Sequence, residues 1–107
     1  MSSLFRVYNA RRSEIPMSET VHDNKALHRF EMGTGGATAV AYYALTPGVI
    51  TFNHTEVPEA LRGRGIASRL VRGALEAARA AHLKVVPRCS FVAAYLARHP
   101  EFSDLVQ

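Results

Sequence analysis

Cysteine occurs once, at Cys89, and tryptophan not at all in the 107 residues. One cysteine cannot close an internal disulfide, so burial alone has to hold the fold, which suits a reducing compartment. No apolar run approaches the ~18 residues of a membrane span, and no secretory core segment stands near the start. We expect a cytoplasmic chain that does not engage membranes. The five histidines show no pair at metal-ligand spacing and no Cys/His cluster, which argues against a metal. Acid is outnumbered too: 9 Asp and Glu face 13 Lys and Arg, for a net charge of +4. Such a balance suits an anionic ligand (a nucleotide, a phosphorylated cofactor or nucleic acid), and solubility explains it equally well.

What is present is one domain's worth of patterned chain, 48% hydrophobic, enough for a packed core. Residues 1–19 show no clean period and read as a tail or edge segment; the compact domain spans 20–107. A first strand is expected over about 26–32, closed by the glycine-rich turn at 33–36. "ATAVAYYALT" reads as a second strand and "VITFNHTEV" as a third, with Pro47-Gly48 turning between them. Strict alternation puts Thr51, Asn53 and Thr55 on one face of the third strand and Phe52, His54 and Glu56 on the other.

After Pro58 the period changes from 2 to 3.6. Ile66, Leu70, Val71, Ala74, Leu75 and Ala78 share one arc of a helix expected over 65–81, and Arg69, Arg72, Glu76 and Arg79 share the opposite arc. "LKVVP" reads as a short buried strand, and "SFVAAYLARH" as a second helix stopped by Pro100. A strand–helix–strand unit makes 49–57 and 84–88 parallel neighbours. The expected class is therefore α+β: a mixed, mostly antiparallel sheet with one parallel pair and two main helices. An exposed edge strand leaves monomer and weak homodimer both open.

One stretch breaks its own rules. "RGRGIAS", residues 62–68, places two glycines at the start of a helix, where glycine costs about 1 kcal/mol relative to alanine in the interior. The stretch follows a strand end and opens a helix, where unpaired amides and a partial positive charge favour an anion. Arg62 and Arg64 add charge. It is neither a Walker loop nor a three-glycine dinucleotide fingerprint.

Arg62-Gly63-Arg64-Gly65-Ile66-Ala67 resembles the coenzyme A pyrophosphate loop of the GCN5-related N-acetyltransferases. Together with "HTEVPEALRGRGIASRLV" and "LKVVPRCSFVAAYLARHPEF" it is similar to that family's compact YjdJ-type branch, over about residues 20–106. The resemblance implies a minimal fold of that family, its parallel strands splayed around the cofactor. It implies acetyl-CoA as co-substrate, held by Val57, Arg62, Gly63, Arg64, Gly65, Ile66, Ala67 and Ser68, and transfer to an amine. Typical members also carry two helices after the first strand that help form the acceptor site; the interval between residues 32 and 37 is too short for them.

Four residues are candidates for the chemistry. Cys89 stands at the expected start of the last helix, where amides favour thiolate, and suits an acyl-accepting nucleophile; a small buried thiol is the plain reading. His54 is a candidate base, and Glu56, on the same strand face, a candidate orienter. Tyr95 matches, by the resemblance, a tyrosine that protonates the departing coenzyme A sulfur; packing against the sheet is the plain reading. The competing readings are a non-catalytic coenzyme A-binding module and a small nucleic-acid-binding domain using Arg69, Arg72 and Arg79. A solvated helix face explains that arginine stripe better.

Overall fold

The structure, a computed structural model, describes residues 20–34 and 36–107. The tail expected at residues 1–19 lies outside the described residues. Five strands form one sheet, in spatial order β1 (His22–Asn24), β2 (Arg29–Thr34), β3 (Ala37–Thr46), β4 (Val49–Glu56) and β5 (Lys84–Pro87). The first four are antiparallel neighbours, and β4 and β5 run parallel. This is the mixed sheet expected from the sequence, with one strand more.

The extra strand comes from a break that period counting misses. The strand expected over 26–32 begins only at Arg29, and a separate strand, β1, precedes it across a 3₁₀ turn at Lys25–Leu27. The Asn24 side chain accepts from the Leu27 amide at 3.2 Å, and His28 follows in the left-handed region at φ 54°. A short polar side chain bonding its own backbone competes with the ladder and ends β1. β1 is tied to the core from the side: the Tyr43 hydroxyl donates to Asp23 Oδ1 at 2.6 Å. Burial first, and that bond second, push the Tyr43 phenol up to about 12.

A bulge corrects the expected faces of β4. Tyr42 pairs with His54, but Tyr43 pairs with Phe52, so Asn53 is the extra residue. One added residue reverses the alternation beyond it. Phe52 lies in the core beside Tyr43 and Phe30. Thr55 pairs across from Ala41, which is itself in the core. His54 stacks on Tyr42, which lies on the other face, where Arg29 bonds the Tyr42 hydroxyl at 3.2 Å. Phe52 and Thr55 therefore share the core face, and His54 and Glu56 share the opposite one. The strict alternation read from the sequence put Thr55 with Asn53 and His54 with Phe52.

The helices are α1 (Ile66–Ala80) and α2 (Ser90–Arg98). The buried residues of α1 are Ile66, Leu70, Val71, Ala74, Leu75 and Ala78, the same six that the 3.6 period puts on one arc. Each fully buried leucine contributes about 2 kcal/mol. A 3₁₀ segment, Pro100–Leu105, follows α2 and buries Phe102 and Leu105. Beyond it, Val106 bridges to Val85 in parallel and the Gln107 amide donates to the Val85 carbonyl at 3.0 Å.

The arginine arc of α1 is exposed, as the sequence suggests, but two of its members are bound to the end of the chain. Arg79 binds Asp104 through both terminal nitrogens, at 2.7 and 3.1 Å. Arg72 donates to the Tyr95 hydroxyl and to Glu101, both at 3.3 Å. Both guanidiniums also lie over the Phe102 ring, at 5.2 and 5.5 Å. Arg72 and Arg79 thus clamp the last 3₁₀ segment onto α1, so they are not free for phosphates. The hydrogen bond from Arg79 holds the Asp104 carboxyl below its ordinary range. No helix among the described residues is long and apolar enough to cross a membrane.

Gly73 lies on α1 where Val21 presses against it. A Cβ built there would come within 2.6 Å of Val21 Cγ2 and 2.8 Å of Val21 Cβ. Gly73→Val should lower stability by about 2 kcal/mol through overpacking, read as a drop in the denaturation midpoint. Val21→Gly in the same chain, which removes every atom of that clash, should recover more than half of that loss, measured against Val21→Gly alone. Additive losses in the double variant would place the cost elsewhere.

Candidate functional site

The site is built where β4 and β5 part. They pair in register from Val49↔Lys84 to Phe52↔Pro87. There the ladder stops. Pro87 has no amide to offer, and the next two amides, Arg88 and Cys89, both donate to the Phe52 carbonyl, at 3.0 and 2.9 Å. β5 turns away into α2 while β4 continues to Glu56 without a partner on that side. The bulge at Asn53 falls at the same point. Bulges recur beside active sites because they re-aim side chains.

On one side of this opening lies the loop between β4 and α1. Gly63 and Gly65 have φ of 78° and 73°, a region that costs other residues about 1–2 kcal/mol. Neither glycine interrupts the helix: Gly65 is its N-cap, so the opening objection to glycine here disappears. No side chain caps α1 and no acidic residue stands in its first turn. The orphan amides of a helix start normally find such a partner. A Cβ at Gly63 or Gly65 would meet nothing within 4 Å. Backbone and open space together leave the helix start available to an anion.

A cavity of about 200 Å³ covers this region, lined by Val57, Leu61, Arg62, Gly63, Gly65, Ile66, Ala67, Ser68 and Phe91. It brings together every residue expected to hold the cofactor except Arg64. The Arg64 carbonyl instead accepts from Arg69 Nη2 at 3.3 Å. Leu61 and Phe91 are lining residues that the sequence reading missed. Phe91 is 37% exposed, a large apolar side chain on the cavity wall, and its register on α2 carries no signal by itself. Arg62 Nε donates to the Val57 carbonyl at 3.2 Å, which fixes the loop against the strand end.

A second cavity, about 450 Å³, adjoins the first through shared Val57 and Arg62, and is otherwise lined by Thr38, His54, Thr55, Glu56 and Pro58. His54 Nε2 lies 3.2 Å from Glu56 Oε2, with 61% and 59% of the two side chains exposed. The two residues expected to act as a pair are one. Cys89 is buried, and its Sγ lies 3.2 Å from Thr55 Oγ1. Cys89 is also the N-cap residue of α2, without a side-chain cap bond. It belongs to neither cavity wall; Thr55 is the residue that links it to the second cavity.

Tyr95 is placed elsewhere. Its ring stacks on His99 at 4.0 Å and its hydroxyl accepts from Arg72. These partners belong to the clamp on the 3₁₀ segment, and neither cavity includes Tyr95. Cys89, His54 and Tyr95 have different partners: Thr55, then Glu56, then Arg72 and His99. Thr55 is the polar neighbour of the thiol, and its role was hidden because the bulge that turns it inward has no signature in the strand's composition. Among the described residues no group of three or more His, Cys, Asp and Glu is placed to hold a metal ion.

A family model described as GCN5-related N-acetyl-transferase matches residues 29–105. The protein NATD1 of Homo sapiens is 38% identical over 52 residues, covering 49% of this chain and 46% of that protein. The protein NATD1 of Xenopus tropicalis is 30% identical over 82 residues, covering 74% of each. The match spans about half the length of the chicken, mouse and human relatives. A GCN5-like chain from Staphylococcus aureus, solved in solution by NMR, superposes with a TM-score of 0.66 at 24% identity, covering 85% of this chain and 90% of that one. That likeness concerns the fold.

The backbone of the loop can be tested without a ligand. Gly65→Ala should cost about 1–2 kcal/mol of stability, because alanine has to adopt the left-handed conformation, although no atom stands within 4 Å to clash. Chemical denaturation measures it; an unchanged midpoint would mean that the loop relaxes to another conformation at no cost.

Proposed function

The chain belongs to the GCN5-related N-acetyltransferase family, and on that premise we propose that it is a compact acetyltransferase that moves an acetyl group from acetyl-CoA to an amine. The observation that carries this reading is the uncapped start of α1, with Gly65 in the left-handed region and open space over both loop glycines. Those residues fit a diphosphate: amides and the Arg62 guanidinium supply positive potential, and the glycines let the backbone approach closely. Leu61, Val57 and Phe91 add apolar wall to the same cavity, suited to the uncharged arm of the cofactor. Acetyl-CoA supplies an activated acyl group when bound; the chain's residues do the rest.

In this reading the Cys89 thiol takes the acetyl group. A sulfur–carbon bond to Cys89 forms as the bond to the coenzyme A sulfur breaks, and the thiol proton ends on that departing sulfur. The acceptor amine then attacks the acetyl carbon; a carbon–nitrogen bond forms, the bond to Cys89 breaks, and a proton from the amine returns to the thiol. His54, held by Glu56, lines the second cavity. There it takes the proton that an ammonium acceptor must lose before attacking. Direct attack of the amine on acetyl-CoA uses the same two cavities and differs only in leaving Cys89 unmodified.

Coenzyme A should raise the melting temperature of the protein, since a ligand at 100 times its Kd adds about 2.7 kcal/mol. Gly65→Glu should remove that rise, because a carboxylate would stand where the diphosphate belongs. A rise of wild-type size in Gly65→Glu, or none in the wild type at millimolar coenzyme A, would sink the loop assignment.

Incubation with acetyl-CoA should leave one acetyl group on Cys89 by intact mass. Cys89→Ala should lose the adduct and keep the thermal shift. Coenzyme A binding without any adduct or any acetylated amine would make the chain a cofactor-binding module.

A further inference from the structure

We infer that Thr55 is the positioning residue of the Cys89 thiol: its hydroxyl, and not the His54 imidazole, is the group that holds the sulfur and donates a hydrogen bond to it as it becomes thiolate. The inference deepens the acyl-enzyme reading and rests on it for its role in catalysis. Three observations on different elements converge. The bulge at Asn53 reverses β4, so Thr55 faces inward opposite Ala41 while His54 faces outward against Tyr42. The split of β5 from β4 hangs the Cys89 amide on the Phe52 carbonyl at 2.9 Å, which fixes the Cys89 backbone beside the turned strand. The two side chains then meet at 3.2 Å between Oγ1 and Sγ.

The assignment is chemically specific. A hydroxyl carries one proton and two lone pairs. It accepts from the neutral thiol, and it rotates to donate once that proton has gone. A hydrogen bond to a charged group contributes more than one between neutral groups, so the same contact favours the thiolate. The hydroxyl itself neither gains nor loses a proton in either transfer step. Thr55 also lines the second cavity, so it is the residue between the buried sulfur and the place where an amine would arrive. His54 reaches that cavity from the other face of the strand. Thiol and imidazole thus serve different partners, the acyl group and the amine.

The chain's one cysteine makes the test direct. Iodoacetamide alkylation of the native protein, followed by intact mass across pH 6–10, reports the thiolate without any coenzyme A. Thr55→Val keeps the shape and deletes the hydroxyl. It should slow alkylation at pH 7 by about three- to tenfold, the excess of a charge-assisted hydrogen bond over a neutral one, and move the rise in rate to higher pH. Thr55→Ser should restore the wild-type profile, and His54→Ala should leave it unchanged. Thr55→Ala, smaller and without strain, should repeat the valine result. Valine and alanine profiles that coincide with the wild type, or a serine profile that follows valine, would overturn the inference. So would a His54→Ala profile shifted as far as that of Thr55→Val. Loss of the coenzyme A thermal shift in the wild type would strike the transferase reading and leave this result standing.

Discussion

One backbone carbonyl organises this molecule. The oxygen of Phe52 accepts from two successive amides, Arg88 and Cys89, and by doing so ends the parallel ladder between β4 and β5. A regular ladder would have continued one bond per residue along both strands. Pro87 lacks the amide for that, and Asn53 is the extra residue of a bulge. The strands therefore part at a defined place, and both cavities and the thiol are arranged around that parting. The core residues Phe52 and Val85, 1% and 0% exposed, fix the strands up to it, so the opening has rigid walls.

The loop before α1 depends on that arrangement. It begins at Val57, where β4 has run past its last partner, and Arg62 ties it back to the Val57 carbonyl. Two residues in the left-handed region leave the helix start uncapped. An uncapped start forgoes about 1 kcal/mol that a serine or aspartate would provide. A helix start without a side-chain cap beside a cavity sacrifices stability where an anion would restore it. The proposed reading puts a diphosphate there, and the proposed transfer chemistry follows from that.

The rest of the chain braces this corner. No helix pair stands between β2 and β3, and α1, α2 and the final 3₁₀ segment pack on the sheet to close the core. Arg72 and Arg79 fasten the final 3₁₀ segment across α1, and Phe102 sits under both guanidiniums. A charged stripe read along a helix thus turns out to be an exposed seam between α1 and the final 3₁₀ segment. The same seam engages Tyr95, whose hydroxyl accepts from Arg72 and whose ring stacks on His99.

Periodicity alone determined much. The six buried residues of α1, the extent of β3, the parallel pairing of 49–57 with 84–88 and the glycine-bearing helix start follow from local spacing and backbone chemistry, and those are properties of neighbouring residues. Tertiary structure decided what depends on two segments meeting. The split of β1 from β2 turns on one asparagine side chain; the faces of His54 and Thr55 turn on a bulge defined only by pairing with β3. The partners of Arg72, Arg79 and Tyr95 come from a segment some 20 to 30 residues away along the chain. A strand's alternation is a local rule, but its register belongs to the pair of strands, and one unpaired residue in it settled which side chain faces Cys89.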